Sequence, residues 1–174
     1  MPENKQPRVV FSHGQESGPW GSKINHLAAI ARDCGYAVDS IDYRGIQAAA
    51  ARVQHLLEAQ PAGAPLVLYG SSMGGYVAAM ACAQLRPDGL FLLAPALYLP
   101  GYPGDPTACP TNTVVVHGWG DDVVPCEQSL QFAHPRRARL HLVDDGHRLV
   151  DSLEFIGNCF ERQLRDLLAA HQAA

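Results

Sequence analysis

The sequence has no run of lysines or arginines, and its formal net charge at neutral pH is −4. A nucleic-acid partner held by phosphate neutralisation is not expected, because that mode needs clustered positive charge. Apolar stretches are no longer than a strand, so no segment is long enough to cross a bilayer as a helix. The opening residues, Met1 to Pro7, carry no apolar signal region, and a cytoplasmic location is expected on that ground. Cysteine is sparse and odd in number: Cys34, Cys82, Cys109, Cys126 and Cys159, with no CxxC pair. These read as reduced thiols rather than as a disulfide framework. No HxH or HExxH spacing offers a metal site, and the turn after the first apolar strand lacks the G-x-G-x-x-G dinucleotide fingerprint. No metal and no cofactor is expected.

What the chain does have is 47% hydrophobic residues, 16 glycines and 13 prolines in 174 residues. That length suits one domain, 1–174, large enough to bury roughly 70% of the surface its unfolded chain exposes. Short β-rich runs alternate with helical patterns throughout. Strands are expected over residues 8–12, 36–42, 66–69, 90–93, 113–116 and 139–143. Between them, a helix capped by Ser22 carries Ile24, Leu27, Ala28 and Ala31 on one face and stops at Gly35. A second helix, about 46–60, places Ile46, Ala50, Val53 and Leu57 on one side. A third, rich in small residues, spans 76–85, and a fourth runs from Pro125 to about His134. The last starts after Asp151, whose spacing to Glu154 resembles a capping box. Residues 94–112, with five prolines, read as loop. The alternation implies an α/β fold with a parallel sheet covered by helices on both faces. Functional groups in such sheets gather at the carboxyl ends of the strands.

One motif falls at such an end. Gly70-Ser71-Ser72-Met73-Gly74 matches G-x-S-x-G, with four apolar residues before it and the small-residue helix after it. This arrangement puts a serine on a sharp strand-to-helix turn, with its hydroxyl projecting into a site. A serine hydroxyl needs a base, and the base needs an orienting carboxylate, in the chain order Ser, acid, His. Asp121 and Asp122 follow the fifth strand, and His147 follows the sixth. Of the other histidines, His26 and His55 lie in helical segments, while His134 and His171 lie near helix ends. His141 is inside a strand, and His13 and His117 precede the serine or the acid. His147 is the candidate base. Spacing alone leaves Asp121 and Asp122 open as the acid, and Asp144 and Asp145 read as turn residues. One oxyanion donor is expected to be the Met73 amide; the other comes from the loop after the first strand, His13-Gly14-Gln15.

Taken together, these residues resemble the α/β-hydrolase superfamily, and more narrowly the small bacterial YqiA/YcfP-like esterases. The likeness is carried by Phe11 to Gly14 with Glu16 to Pro19, by Gly70 to Gly75, by His117 through Asp121 to Pro125, and by Gly146 to Arg148. The resemblance implies a three-layer fold reduced to about six parallel strands in the order 2-1-3-4-5-6, with no cap domain. Its His-Gly-x-x-Asp-x-x-Val-Pro pattern favours Asp121 over Asp122. It implies a triad of Ser72, Asp121 and His147, with Gln15 and Met73 as backbone donors. The activity implied is hydrolysis of small-molecule carboxylic esters or thioesters without a cofactor. Tyr98, Leu99 and Tyr102 are candidates for one wall of an acyl pocket. The competing reading is a catalytically silent binding or interaction protein on the same scaffold, since fold alone does not carry function.

Overall fold

Six parallel strands form one sheet in the order β2-β1-β3-β4-β5-β6. They are β1 (Arg8–Ser12), β2 (Ala37–Ile41), β3 (Leu66–Ser71), β4 (Gly89–Leu93), β5 (Thr113–Gly118) and β6 (Arg139–Val143). Five helices connect and flank them: α1 (Ser22–Asp33), α2 (Ala49–Glu58), α3 (Met73–Leu85), α4 (Glu127–Arg136) and α5 (Leu153–Gln172). The computed structural model describes residues 6–174. The expectation of no signal region falls largely on residues 1–5, outside the described ones.

Side chains along each strand alternate between two cores, as the two-residue period of a strand requires. Val9, Phe11, Val67, Tyr69, Phe91, Leu93, Val114 and Val116 pack beneath α1 and α5. Val10, Leu66, Leu68, Leu90, Leu92 and Val115 pack on the other face against α2, α3 and Phe132 of α4. The central strands are therefore apolar on both sides, whereas the edge strands β2 and β6 are half-exposed. Strand order reverses at β1, which has β2 on one side and β3 on the other. The crevice at the carboxyl ends of β1 and β3 is where such a sheet accommodates a ligand. Between β4 and β5, residues 94–112 hold neither helix nor strand, so no cap covers that edge.

Several local expectations differ from the structure. Helix α2 begins at Ala49, and its buried face is Ala49, Arg52 and Leu56, with Ala50 exposed. An arginine on the inward face displaced the apolar register by one position. Helix α3 starts at Met73, three residues earlier than expected, because the serine turn leads directly into it. Helix α4 covers Glu127–Arg136, and Pro135 in its last turn does not end it. Neither Ser22 nor Asp151 caps a helix: the residue preceding α1 is Gly21, and Ser152 at the start of α5 makes no side-chain cap bond. The Ser152 amide instead donates to the Asp145 carboxylate at 2.9 Å, so the turn before the helix supplies the acceptor. No helix among the described residues is long and apolar enough to cross a membrane.

Candidate active site

Ser72 sits between β3 and α3 with φ 54° and ψ −119°, a conformation that costs a non-glycine residue energy. Main-chain bonds on both sides hold it there. Its N–H donates to the Leu93 carbonyl at 3.0 Å, and its own carbonyl accepts from Gly75 at 2.9 Å and Ala96 at 3.0 Å. The flanking glycines are required by space. A Cβ on Gly70 would overlap the Gly74 carbonyl, and one on Gly74 would overlap the end of β1, reaching the His13 carbonyl at 2.7 Å. A Cβ on Gly75 would lie 2.7 Å from Pro95. Three strand ends and one helix therefore meet at the serine with no room for side chains between them.

The carboxyl ends of β5 and β6 bring the other two residues to it. His147 Nε2 is 3.1 Å from Ser72 Oγ, and its Nδ1 is 2.7 Å from Asp121 Oδ2. The Asp121 side chain is wholly buried, and that of His147 is 19% exposed. Oδ1 of Asp121 accepts the amides of Val123 at 2.9 Å and Val124 at 2.8 Å. Burial opposes its charge, but those amides and the His147 imidazole outweigh burial, and the carboxyl lies below its ordinary value. Asp122 is exposed and joins none of these bonds.

His117, set aside above because it precedes the acid, is a further member of the cluster. It is fully buried, and its Nε2 faces the Val124 carbonyl at 2.8 Å and Asp121 Oδ2 at 3.0 Å. Both partners are acceptors, so Nε2 carries a hydrogen; Nδ1 meets Ser129 Oγ at 2.7 Å. Its place in the His-Gly-x-x-Asp pattern is the sequence signal that could have marked it. The loop carrying His147 is braced by Asp145, which accepts the Gly146 amide at 2.7 Å, and by Lys23, which donates to the Arg148 carbonyl at 2.8 Å.

The loop after β1 runs beside the nucleophile: a Cβ on Gly14 would lie 3.6 Å from Ser72 Cβ. Among the described residues, neither the Gln15 nor the Met73 amide donates to another group of the chain. Tyr98, Leu99 and Tyr102 lie in the loop after β4, and their bonds keep them there. Tyr98 donates to Asp105 at 2.6 Å, the Tyr102 amide donates to Leu99, and the Tyr102 ring meets Tyr76 edge-on. None of the three hydrogen-bonds to Ser72, Asp121 or His147. Among the described residues, no group of three His, Cys, Asp or Glu side chains is placed to hold a metal ion.

This architecture recurs in solved structures. A protein of the α/β hydrolase superfamily from Xanthomonas campestris pv. campestris is 33% identical, with TM-score 0.81, over 92% of this chain and 99% of that one. The chain belongs to the α/β hydrolase superfamily. Two solved structures of lower sequence identity share the fold. Est1E from Butyrivibrio proteoclasticus has TM-score 0.81 at 19% identity, covering 97% of this chain and 90% of that one. A serine hydrolase without a lid from Xanthomonas campestris has TM-score 0.67 at 19% identity, covering 95% and 85%. No family model and no curated protein matches the sequence. As a member of this superfamily, the chain places its six strands in the order that the resemblance implies.

Proposed function

We propose that the protein is a serine hydrolase that cleaves carboxylic esters or thioesters of small molecules through an acyl-enzyme intermediate. The observation carrying this reading is the continuous hydrogen-bonded chain Ser72–His147–Asp121 on a strained strand-to-helix turn. His147 Nε2 takes the Ser72 proton as Oγ attacks the substrate carbonyl, then returns it to the leaving alcohol or thiol. Asp121 fixes the imidazole with Nδ1–H toward the carboxylate and Nε2 toward the serine, and it stabilises the imidazolium that forms. The amides of Met73 and Gln15 receive the developing oxyanion, each such donor typically contributing about 3 kcal/mol. Water then repeats the sequence on the acyl-enzyme and releases the acid. No step uses a cofactor.

The test combines labelling with turnover. A fluorophosphonate should modify Ser72 in the folded protein, and Ser72→Ala should lower kcat on p-nitrophenyl acetate by roughly 10⁴-fold or more. Unlabelled Ser72, with wild-type protein inactive across p-nitrophenyl and acyl-CoA substrates, would instead favour a silent binding protein.

A further inference from the structure

Arg52 is 2% exposed, yet it makes no salt bridge among the described residues. Its hydrogen bonds all go to main-chain carbonyls. Nε donates to Ile46 at 2.8 Å, and one terminal nitrogen donates to Gly14 at 3.2 Å and reaches His13 at 3.5 Å. The guanidinium also lies 5.5 Å from the Tyr43 ring centroid. Burying a cation without a counter-charge is costly, and an apolar residue would fill an inward helix position more cheaply. Two of the three carbonyls it holds, those of His13 and Gly14, belong to the loop that passes the nucleophile.

A second side chain grips the same carbonyl. His13 is buried, and the Tyr43 amide donates to its Nε2 at 2.9 Å. The proton therefore resides on Nδ1, which donates to the Gly14 oxygen at 2.7 Å. Two donors thus meet on the Gly14 carbonyl, one of them cationic. The peptide joining Gly14 to Gln15 is planar, so its N–H points opposite its C=O. Fixing the Gly14 oxygen fixes the direction of the Gln15 amide hydrogen, the group with no partner of its own.

We propose that Arg52, together with His13, is a positioning residue for oxyanion stabilisation, acting through the Gly14–Gln15 peptide. Clamping prevents that peptide from turning, which matters where a glycine leaves the backbone permissive. Hydrogen bonds to a carbonyl also polarise the amide on the other side, making it a stronger donor. A cation at the carbonyl end serves both purposes. The inference rests on the serine hydrolase reading, in which Gln15 is one of the two oxyanion donors.

A trifluoromethyl ketone tests it. In the wild type, Ser72 Oγ adds to the ketone carbon, its proton passes to His147, and the carbonyl oxygen becomes an oxyanion held by the two amides. The Gln15 and Met73 amide protons should both move downfield in an ¹⁵N–¹H spectrum. In Arg52→Lys and Arg52→Gln the Gln15 shift should shrink while that of Met73 is kept. kcat should fall about ten-fold or more with KM within about two-fold, since the donor acts on the transition state. Lysine should recover part of the loss through one charged bond. A scalar coupling across the hydrogen bond from the Arg52 guanidinium to the Gly14 carbonyl carbon, measured on wild type, covers the case in which the variants do not fold. Unchanged kcat and Gln15 shift in folded variants, or no coupling in wild type, overturn the inference while leaving the hydrolase reading intact. No ketone adduct in wild type overturns the hydrolase reading and this inference with it.

Discussion

His117 Nε2 lies 3.0 Å from Asp121 Oδ2, the same carboxylate oxygen that receives His147 at 2.7 Å. Asp121 therefore accepts four donors, two main-chain amides on one oxygen and two imidazoles on the other. A carboxylate so enclosed has one orientation, and it is the one that aims Nε2 of His147 at the serine. Hydrogen bonds to a charged group contribute about 1.5–3 kcal/mol, so His117→Phe should lower kcat/KM roughly ten- to a hundred-fold. Kinetics on p-nitrophenyl acetate, with the melting temperature alongside, check this. A folded variant with unchanged kcat/KM would show that the amides of Val123 and Val124 hold the acid unaided.

The strained turn makes a separate prediction about stability. At φ 54° and ψ −119°, Ser72 has a conformation that glycine adopts freely and alanine does not. Ser72→Ala and Ser72→Gly should both lose activity by roughly 10⁴-fold, but their stabilities should diverge. Relief of strain should leave the glycine variant about 1 kcal/mol more stable than the alanine variant, or about 2–4 °C in melting temperature for a chain of this size. Equal melting temperatures would mean that the strain relieved is no larger than the entropy glycine adds to the unfolded chain.

The strands and the serine turn were legible in the sequence for a common reason: each is a local pattern. Apolar runs such as Leu90 to Leu93 mark buried parallel strands, and Gly70 and Gly74 mark a turn too tight for a Cβ. The roles of Arg52 and His117 were not legible. Arginine in a helix ordinarily faces water, and what holds Arg52 inside is the Ile46 carbonyl together with two carbonyls 38 and 39 residues earlier in the chain. His117 is one histidine among eight, and its contact with Asp121 depends on how the chain turns after β5. The acceptor for the Ser152 amide before α5 is hidden for a similar reason, because Asp145 reaches across seven residues, beyond any capping-box spacing.

Acid should destabilise the fold in two steps. Burial lowers His13 below its ordinary 6.5, so the unfolded chain binds its proton first and stability begins to fall as pH drops below that value. Asp121 and Asp145 are held below their ordinary 3.8. Their contribution is complete above that pH and is lost as pH falls through their lower folded values. Asp145→Asn weakens the acceptor at the start of α5, and it should cost about 1 kcal/mol at pH 7, the usual size for a lost cap. The deficit should narrow as pH falls below 3.8, where the unfolded wild-type chain takes up the Asp145 proton ahead of the folded one. Melting temperatures of both proteins from pH 3 to 8 check this, and a deficit constant across that range would remove Asp145 from the account.

Selectivity follows from what does not cover the serine. Residues 94–112 form a loop tied to α3 and α4, through Tyr76 to Pro103 at 2.7 Å and Arg136 to Asp105 at 2.9 Å, and contain no helix that could close over the site. Trp119 and Val123, on the loop carrying Asp121, and Val150, just beyond His147, are 60%, 61% and 66% exposed. An acyl chain enclosed by protein gains about 0.8 kcal/mol per buried methylene, so lengthening a substrate from two carbons to six would raise kcat/KM by roughly 200-fold. A chain lying on an open apolar rim exchanges only part of its surface with water, and the same series should rise less than about ten-fold. Trp119→Ala should remove much of that remaining gain by raising KM and leaving kcat near wild type, because contact with the rim is the same in ground and transition states. A steep rise with chain length would mean that the 94–112 loop closes on the substrate after all, and a fall in kcat with unchanged KM in Trp119→Ala would mean that Trp119 contacts the transition state rather than the acyl chain.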